Sequence, residues 1–127
     1  DQKDYQATVD NLTALGFPGV SNNTLRLSTT TSNKQARFDE IRQSGANVVL
    51  YIGDNLNDFG GASWHKDNAQ RREFVSNNHA LFGTKFIILP NPQYGDWESG
   101  LADGYNQLSA QQKIQVREQN LRAWNGQ

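Results

Sequence analysis

Val48-Val49-Leu50-Tyr51-Ile52-Gly53-Asp54-Asn55-Leu56-Asn57-Asp58 is the most informative stretch of this 127-residue sequence. Its first five residues form the most apolar run in the chain and are rich in β-branched side chains. A run without polar alternation predicts a strand buried on both faces, as in a parallel sheet. Gly53 predicts a sharp exit from that strand, since glycine lets the backbone turn where a side chain would obstruct it. The polar, acid-bearing loop that follows therefore lies at the strand's C-terminal end.

Downstream, Lys85-Phe86-Ile87-Ile88-Leu89 predicts a second buried strand, stopped by Pro90 and Pro92. Between the two, a polar helix is expected from about Asp67 to Phe82, with Phe74 and Val75 as its core contacts. A terminal helix is expected from about Ser109 to Trp124. Upstream, Val9, Leu12 and Leu15 recur at helical spacing until Gly16 stops them. Leu25-Arg26-Leu27 alternates like a short strand. Ser32 and Asn33 are candidate caps for a helix over Lys34 to Gln43, with Phe38 and Ile41 on one face and Gly45 at its end. Strands alternating with helices predict an α/β layered sheet with right-handed crossovers. Such sheets bind ligands at the C-terminal ends of their strands.

The length suits one compact domain with a single core. Twelve basic residues against 13 acidic ones leave no basic stripe for a nucleic-acid backbone, so no nucleic-acid partner is expected. No apolar run reaches the length of a membrane span. With no cysteine, disulfides and thiolate metal sites are excluded, and the compartment stays open. The opening Asp1-Gln2-Lys3-Asp4 has neither a methionine nor a signal-peptide pattern, which predicts that upstream residues have been removed.

The chemistry is concentrated in Gly53-Asp54-Asn55-Leu56-Asn57-Asp58. Asp54 at the strand tip and Asp58 a turn later can converge on one cation. Oxygen-only ligands suit magnesium, which takes few carboxylates and keeps waters and substrate phosphate as its other ligands. A second reading fits the same residues, because Asp and Asn are common in turns and Asp58 could only cap a helix.

Gly-Asp-x-x-x-Asp after an apolar strand resembles the fourth motif of haloacid dehalogenase superfamily phosphatases. The wider pattern resembles the class C acid phosphatases, the bacterial outer-membrane lipoprotein type with 5′-nucleotidase activity. It runs through Asn11-Leu12 with Leu15-Gly16-Phe17, Ser32-Asn33-Lys34 with Arg37-Phe38, and Val49 to Gly60. It continues in Arg71-Arg72 with Phe74-Val75, Phe86 to Asn91, Tyr94-Gly95 with Trp97-Glu98, and Ala123-Trp124-Asn125-Gly126. The resemblance implies a Rossmann-like, three-layer fold with a mainly parallel sheet, of which this chain is the C-terminal part.

It also implies roles. Asp54 and Asp58 match the family's magnesium aspartates. Lys34 matches the third-motif lysine, whose compact ammonium offsets charge on the nucleophile and the transferring phosphoryl group; read without the resemblance, it is a solvated lysine at a helix start. Tyr94 matches a tyrosine that stacks on the substrate's base, and an aromatic ring there equally suits a core or dimer contact. The implied substrates are nucleoside 5′-monophosphates, including nicotinamide mononucleotide. The implied setting is a homodimer on the periplasmic face of the outer membrane, held by an N-terminal lipid that this chain lacks.

Two departures limit what carries over. The first motif, Asp-x-Asp-x-Thr, which supplies the aspartate nucleophile and an acid/base aspartate, does not occur in this sequence, and neither does the second-motif Ser or Thr. Without a nucleophile no aspartyl-phosphate forms, so this chain alone is expected to be inactive. The competing expectation is a catalytically dead module that keeps a phosphate- or magnesium-binding half-site, or serves in assembly. A third makes sugar phosphates the substrates.

Other residues carry less. His65 and His79 lie too far apart for a metal pair and read as surface residues. Arg71, Arg72 and Glu73 read as a solvated helix face. Trp97 and Glu98 could line a pocket or a subunit contact. Ser28 to Ser32 shows no nucleophile-elbow pattern and reads as a loop leading to Lys34.

Overall fold

The computed structural model describes residues 1–123 and 126. They divide into two compact units, Asp1–Ala46 and Asn47–Gln127. No described helix is long and apolar enough to cross a membrane.

The first unit is helical. Helix α1 spans Tyr5–Ala14. It ends as expected at Gly16, whose φ of +80° is the left-handed conformation a helix C-terminus favours. The amide of Phe17 donates to the Leu12 carbonyl and that of Gly16 to the Thr13 carbonyl, which closes the last turn. Leu25-Arg26-Leu27 forms no strand. Among the described residues no strand stands beside it to satisfy its backbone groups as a sheet does, and the Arg26 side chain donates to the carbonyls of Asn22 and Leu25. Helix α2 spans Gln35–Gln43, one residue shorter than expected. Asn33 caps it in effect, its Oδ1 accepting from the Gln35 amide at 2.9 Å.

The second unit contains the expected parallel sheet. Strand β1 (Tyr51–Gly53) leads through helix α3 (Asn68–Asn77) to strand β2 (Phe86–Ile88). The strands pair in parallel register, Tyr51 opposite Phe86, Ile52 opposite Ile87 and Gly53 opposite Ile88. Helix α3 is shorter than the expected 67–82 segment. Asp67 starts it with a capping box, accepting from the Gln70 amide at 2.8 Å, and it ends at Asn77 before a 3₁₀ turn over His79–Leu81. Helices α4 (Asp96–Ser99) and α5 (Ala110–Gln119) follow. A short helix forms at 96–99, and α5 stops at Gln119; Trp124 and Asn125 lie outside the described residues.

Among the described residues the buried side chains of the sheet are Tyr51 and Phe86, where two-sided burial was expected along both strands. Tyr51 and Phe86 meet edge to face at 5.6 Å between ring centroids, and Phe59 stacks on Phe86 at 5.0 Å. Phe82 closes the cluster at 5.6 Å from both Phe59 and Phe86. Each such pair adds roughly 0.5–1.5 kcal/mol beyond the burial itself. By contrast Leu50 is 44% exposed and Ile52 60% exposed, both on the side opposite Tyr51. The apolar run that sequence alone reads as doubly buried is thus covered on one side among the described residues.

Candidate metal-loop site

β1 ends on Gly53, and the loop beyond it closes back on the strand. Leu56–Phe59 forms a single 3₁₀ turn capped by Asn55, whose side chain accepts from the Asn57 amide at 3.2 Å. Asp58 completes the box, with its Oδ2 accepting from the Asn55 amide at 2.9 Å. The capping role offered as the second reading of Asp58 is thus present. It turns the carboxylate inward, where the residue is only 8% exposed. Gly53 makes this possible: a Cβ built there would stand 2.2 Å from Asp58 Oδ2.

Asp54 faces outward from the strand tip. Its Oδ2 accepts from Asn91 Nδ2, at the tip of the second strand, at 2.9 Å. The same Asn91 accepts through Oδ1 from the amides of Gln93 at 3.2 Å and Tyr94 at 3.4 Å. One amide side chain thereby joins the carboxylate expected to hold metal to the loop bearing the tyrosine expected to meet substrate. Tyr94 is 69% exposed. Asp54, Asn91 and Trp97 border a cavity of about 440 Å³ floored by Leu56, Val75 and Leu89. Trp97 therefore lines a pocket, one of the two places offered for it.

The loop is fixed from beneath by an arginine. Arg71, expected on a solvated helix face, is instead 5% exposed. It donates to Asn55 Oδ1 and the Ser63 carbonyl, both at 3.2 Å, and to Asn57 Oδ1 at 3.4 Å. Asn57 is held from two further sides, accepting from Ser63 Oγ at 2.8 Å and donating to the Asp96 carboxylate. Burial pulls the Arg71 pKa below the usual arginine value, and Asp96, with Oδ2 at 4.0 Å, opposes that pull. A buried guanidinium needs this many acceptors, since an unpaired charge away from water is costly. Only the alternation of Asn and Asp in the loop, acceptors in search of a donor, could have signalled it in the sequence.

Lys34 stands at the N-terminal end of α2 in the first unit and is exposed. Arg37 holds the loop before it through the carbonyls of Thr31 and Ser32. His65 and His79 are exposed, as expected. Among the described residues no group of three or more His, Cys, Asp or Glu side chains stands together as a metal cage. The donors that the loop offers are the oxygens of Asp54 and Asp58; Asp54 Oδ2 accepts from Asn91 and Asp58 Oδ2 from the Asn55 amide. Two carboxylates with hard oxygen donors fit a magnesium ion that keeps water and phosphate as its other ligands.

A parallel α/β sheet whose first strand opens into an acid-bearing loop defines the class of fold in which ligands bind at the strand tips. The sequence model of the HAD superfamily, subfamily IIIB (acid phosphatase) matches residues 1–97. The class C acid phosphatase from Bacillus anthracis is similar over 97% of this chain, at 35% identity and a TM-score of 0.84. The structure of that enzyme with tungstate bound gives 35% identity and a TM-score of 0.85. The chain belongs to the HAD superfamily, subfamily IIIB (acid phosphatase), with the Rossmann-like α/β fold of that family. It spans about half of each matched structure, 51% and 52%.

Proposed function

We propose that the whole protein is a magnesium-dependent acid phosphatase of the 5′-nucleotidase type, and that this chain supplies its metal loop. The observation that carries the reading is the closed turn of Gly53 to Asp58 in a member of an acid phosphatase family: Asp58 packs against Gly53 while Asp54 faces out beside a cavity. Asp54 and Asp58 would hold the ion, directly or through water. Magnesium bound there would neutralise phosphate oxygens and help orient the ester for in-line attack.

The chain's own residues do the rest of its share. Asn91 keeps Asp54 directed along the strand tips and sets the start of the Tyr94 loop. Tyr94 offers an exposed ring on which a nucleobase can stack, which supports nucleoside 5′-monophosphates, nicotinamide mononucleotide among them, over sugar phosphates. Lys34, an ammonium at a helix N-terminus, offsets the charge of the transferring phosphoryl group. The family route passes through an aspartyl-phosphate on a first-motif aspartate that this sequence does not contain. Turnover is therefore a property of the whole protein, and this chain alone is inactive. Residence on the periplasmic face of the outer membrane, an N-terminal lipid and a homodimer complete the proposal.

The test is hydrolysis of nucleoside 5′-monophosphates by the full-length protein with magnesium and then with EDTA. The reading requires activity that EDTA removes and magnesium restores. Activity indifferent to EDTA would reject the metal role, and none with any phosphomonoester would favour a phosphate- or magnesium-binding module.

A further inference from the structure

Arg71 donates three hydrogen bonds, and all three acceptors lie in the segment that follows Asp54: Asn55, Asn57 and Ser63. Asp96, the carboxylate that faces it, remains at 4.0 Å. An arginine that served only to neutralise a buried acid would close on that acid in a bidentate fork. This guanidinium instead spreads its rigid set of donors over the loop. Its target Asn55 is the hinge of the metal turn. The Asn55 side chain receives Arg71 while its backbone amide holds Asp58 Oδ2, and Asp54 is its immediate neighbour in sequence.

We propose that Arg71 is a positioning residue for divalent-cation binding, setting Asp54 and Asp58 through Asn55 without touching the ion. This rests on the proposal that Asp54 and Asp58 hold a metal. Asp96 completes the device by gripping Asn57 from the other side, so that the turn is clamped between α3 and α4. Residues that orient metal ligands in this way typically contribute roughly 10- to 100-fold to metal affinity.

The experiment is Mn²⁺ binding to the full-length protein, followed by the loss of the free-ion electron paramagnetic resonance signal, with a circular dichroism melt for each variant. Arg71→Met is expected to keep its secondary structure and weaken Mn²⁺ by about 10- to 100-fold. Asn55→Ser keeps a hydroxyl that can cap the turn but is too short to reach Arg71, so it is expected to weaken Mn²⁺ comparably. It also decides the matter should Arg71→Met fail to fold. The double variant is expected to bind no more weakly than the worse single one, because both remove the same link. Folded Arg71→Met and Asn55→Ser proteins with wild-type affinity would overturn the positioning role, while loss of binding in Asp54→Asn would leave the metal reading standing. Asp54→Asn binding as tightly as wild type would defeat the metal reading itself and the positioning role with it.

Discussion

A Cβ on Gly53 would stand 2.2 Å from Oδ2 of Asp58 and 2.3 Å from its Cβ, so the strand end and the buried carboxylate occupy adjoining space with no room for a methyl group. No rotation of the Asp58 side chain relieves this contact, because its own Cβ is part of it. Gly53→Ala is expected to push the turn off the strand, at a cost of about 1–3 kcal/mol in stability and with loss of magnesium-dependent turnover in the full-length protein. A thermal melt and an assay across magnesium concentrations check it; wild-type affinity for magnesium would show that Asp58 need not lie against the strand.

Asp58→Asn separates cap from charge. The amide keeps an oxygen to accept from the Asn55 amide, so stability is expected to fall by no more than about 1 kcal/mol, while divalent-ion affinity falls steeply. Asp54→Asn is expected to abolish activity in the full-length protein. Calorimetric titration with Mn²⁺ beside a melting curve distinguishes the two effects.

Tyr94→Ala is expected to raise KM for nucleoside 5′-monophosphates while leaving hydrolysis of a small sugar phosphate near wild type. Base stacking on an aromatic ring contributes about 1–3 kcal/mol, which corresponds to a loss of about 5- to 150-fold. A substrate panel that fell uniformly would assign Tyr94 to structure.

The second unit also carries a pH-sensitive latch between α4 and α5. The Tyr105 hydroxyl donates to Glu98 at 2.9 Å, and Arg117 donates to both. The Tyr105 bond and the Arg117 guanidinium hold the Glu98 carboxyl below the ordinary glutamate range. Since the folded pKa is the lower one, the stabilisation is present above the unfolded value of about 4.3 and is lost as pH falls through the folded value. Burial and the neighbouring Glu98 raise the Tyr105 pKa, so its contribution is intact below about 10 and is lost as pH climbs through the folded value. Glu98→Gln is expected to lower Tm at neutral pH and to leave the acid end of a Tm-against-pH curve nearly unchanged, which flattens its acid limb. An unchanged acid limb would remove Glu98 from the acid response.

What the sequence disclosed and what it withheld divide along the range of the interactions involved. The strand ending at Gly53 and the turn after it were legible, because an apolar run, a glycine and spaced acids are local signals. The parallel pairing with β2 followed from the second run and the helix between. Arg71 was misread because Arg71-Arg72-Glu73 looks like a solvated face, and its burial depends on Asn55, Ser63 and Asp96, which only the fold brings to it. The exposure of Ile52 was also illegible, since hydrophobicity states what a residue favours and says nothing of whether a neighbour covers it. Leu25-Arg26-Leu27 alternates like a strand but has no strand to pair with among the described residues. The family pattern, in contrast, spans the chain and pointed to the acid phosphatases directly.

The bond between Asn91 and Asp54 joins residues 37 positions apart, and that separation has a kinetic consequence. Local turns close in microseconds, whereas a parallel pairing must first bring distant strands together. Asp54 takes its final orientation only once β2 has docked alongside β1. Capture of Mn²⁺ during refolding should therefore lag the return of helical signal, and the ion becomes a reporter of the slowest step in building this half of the protein.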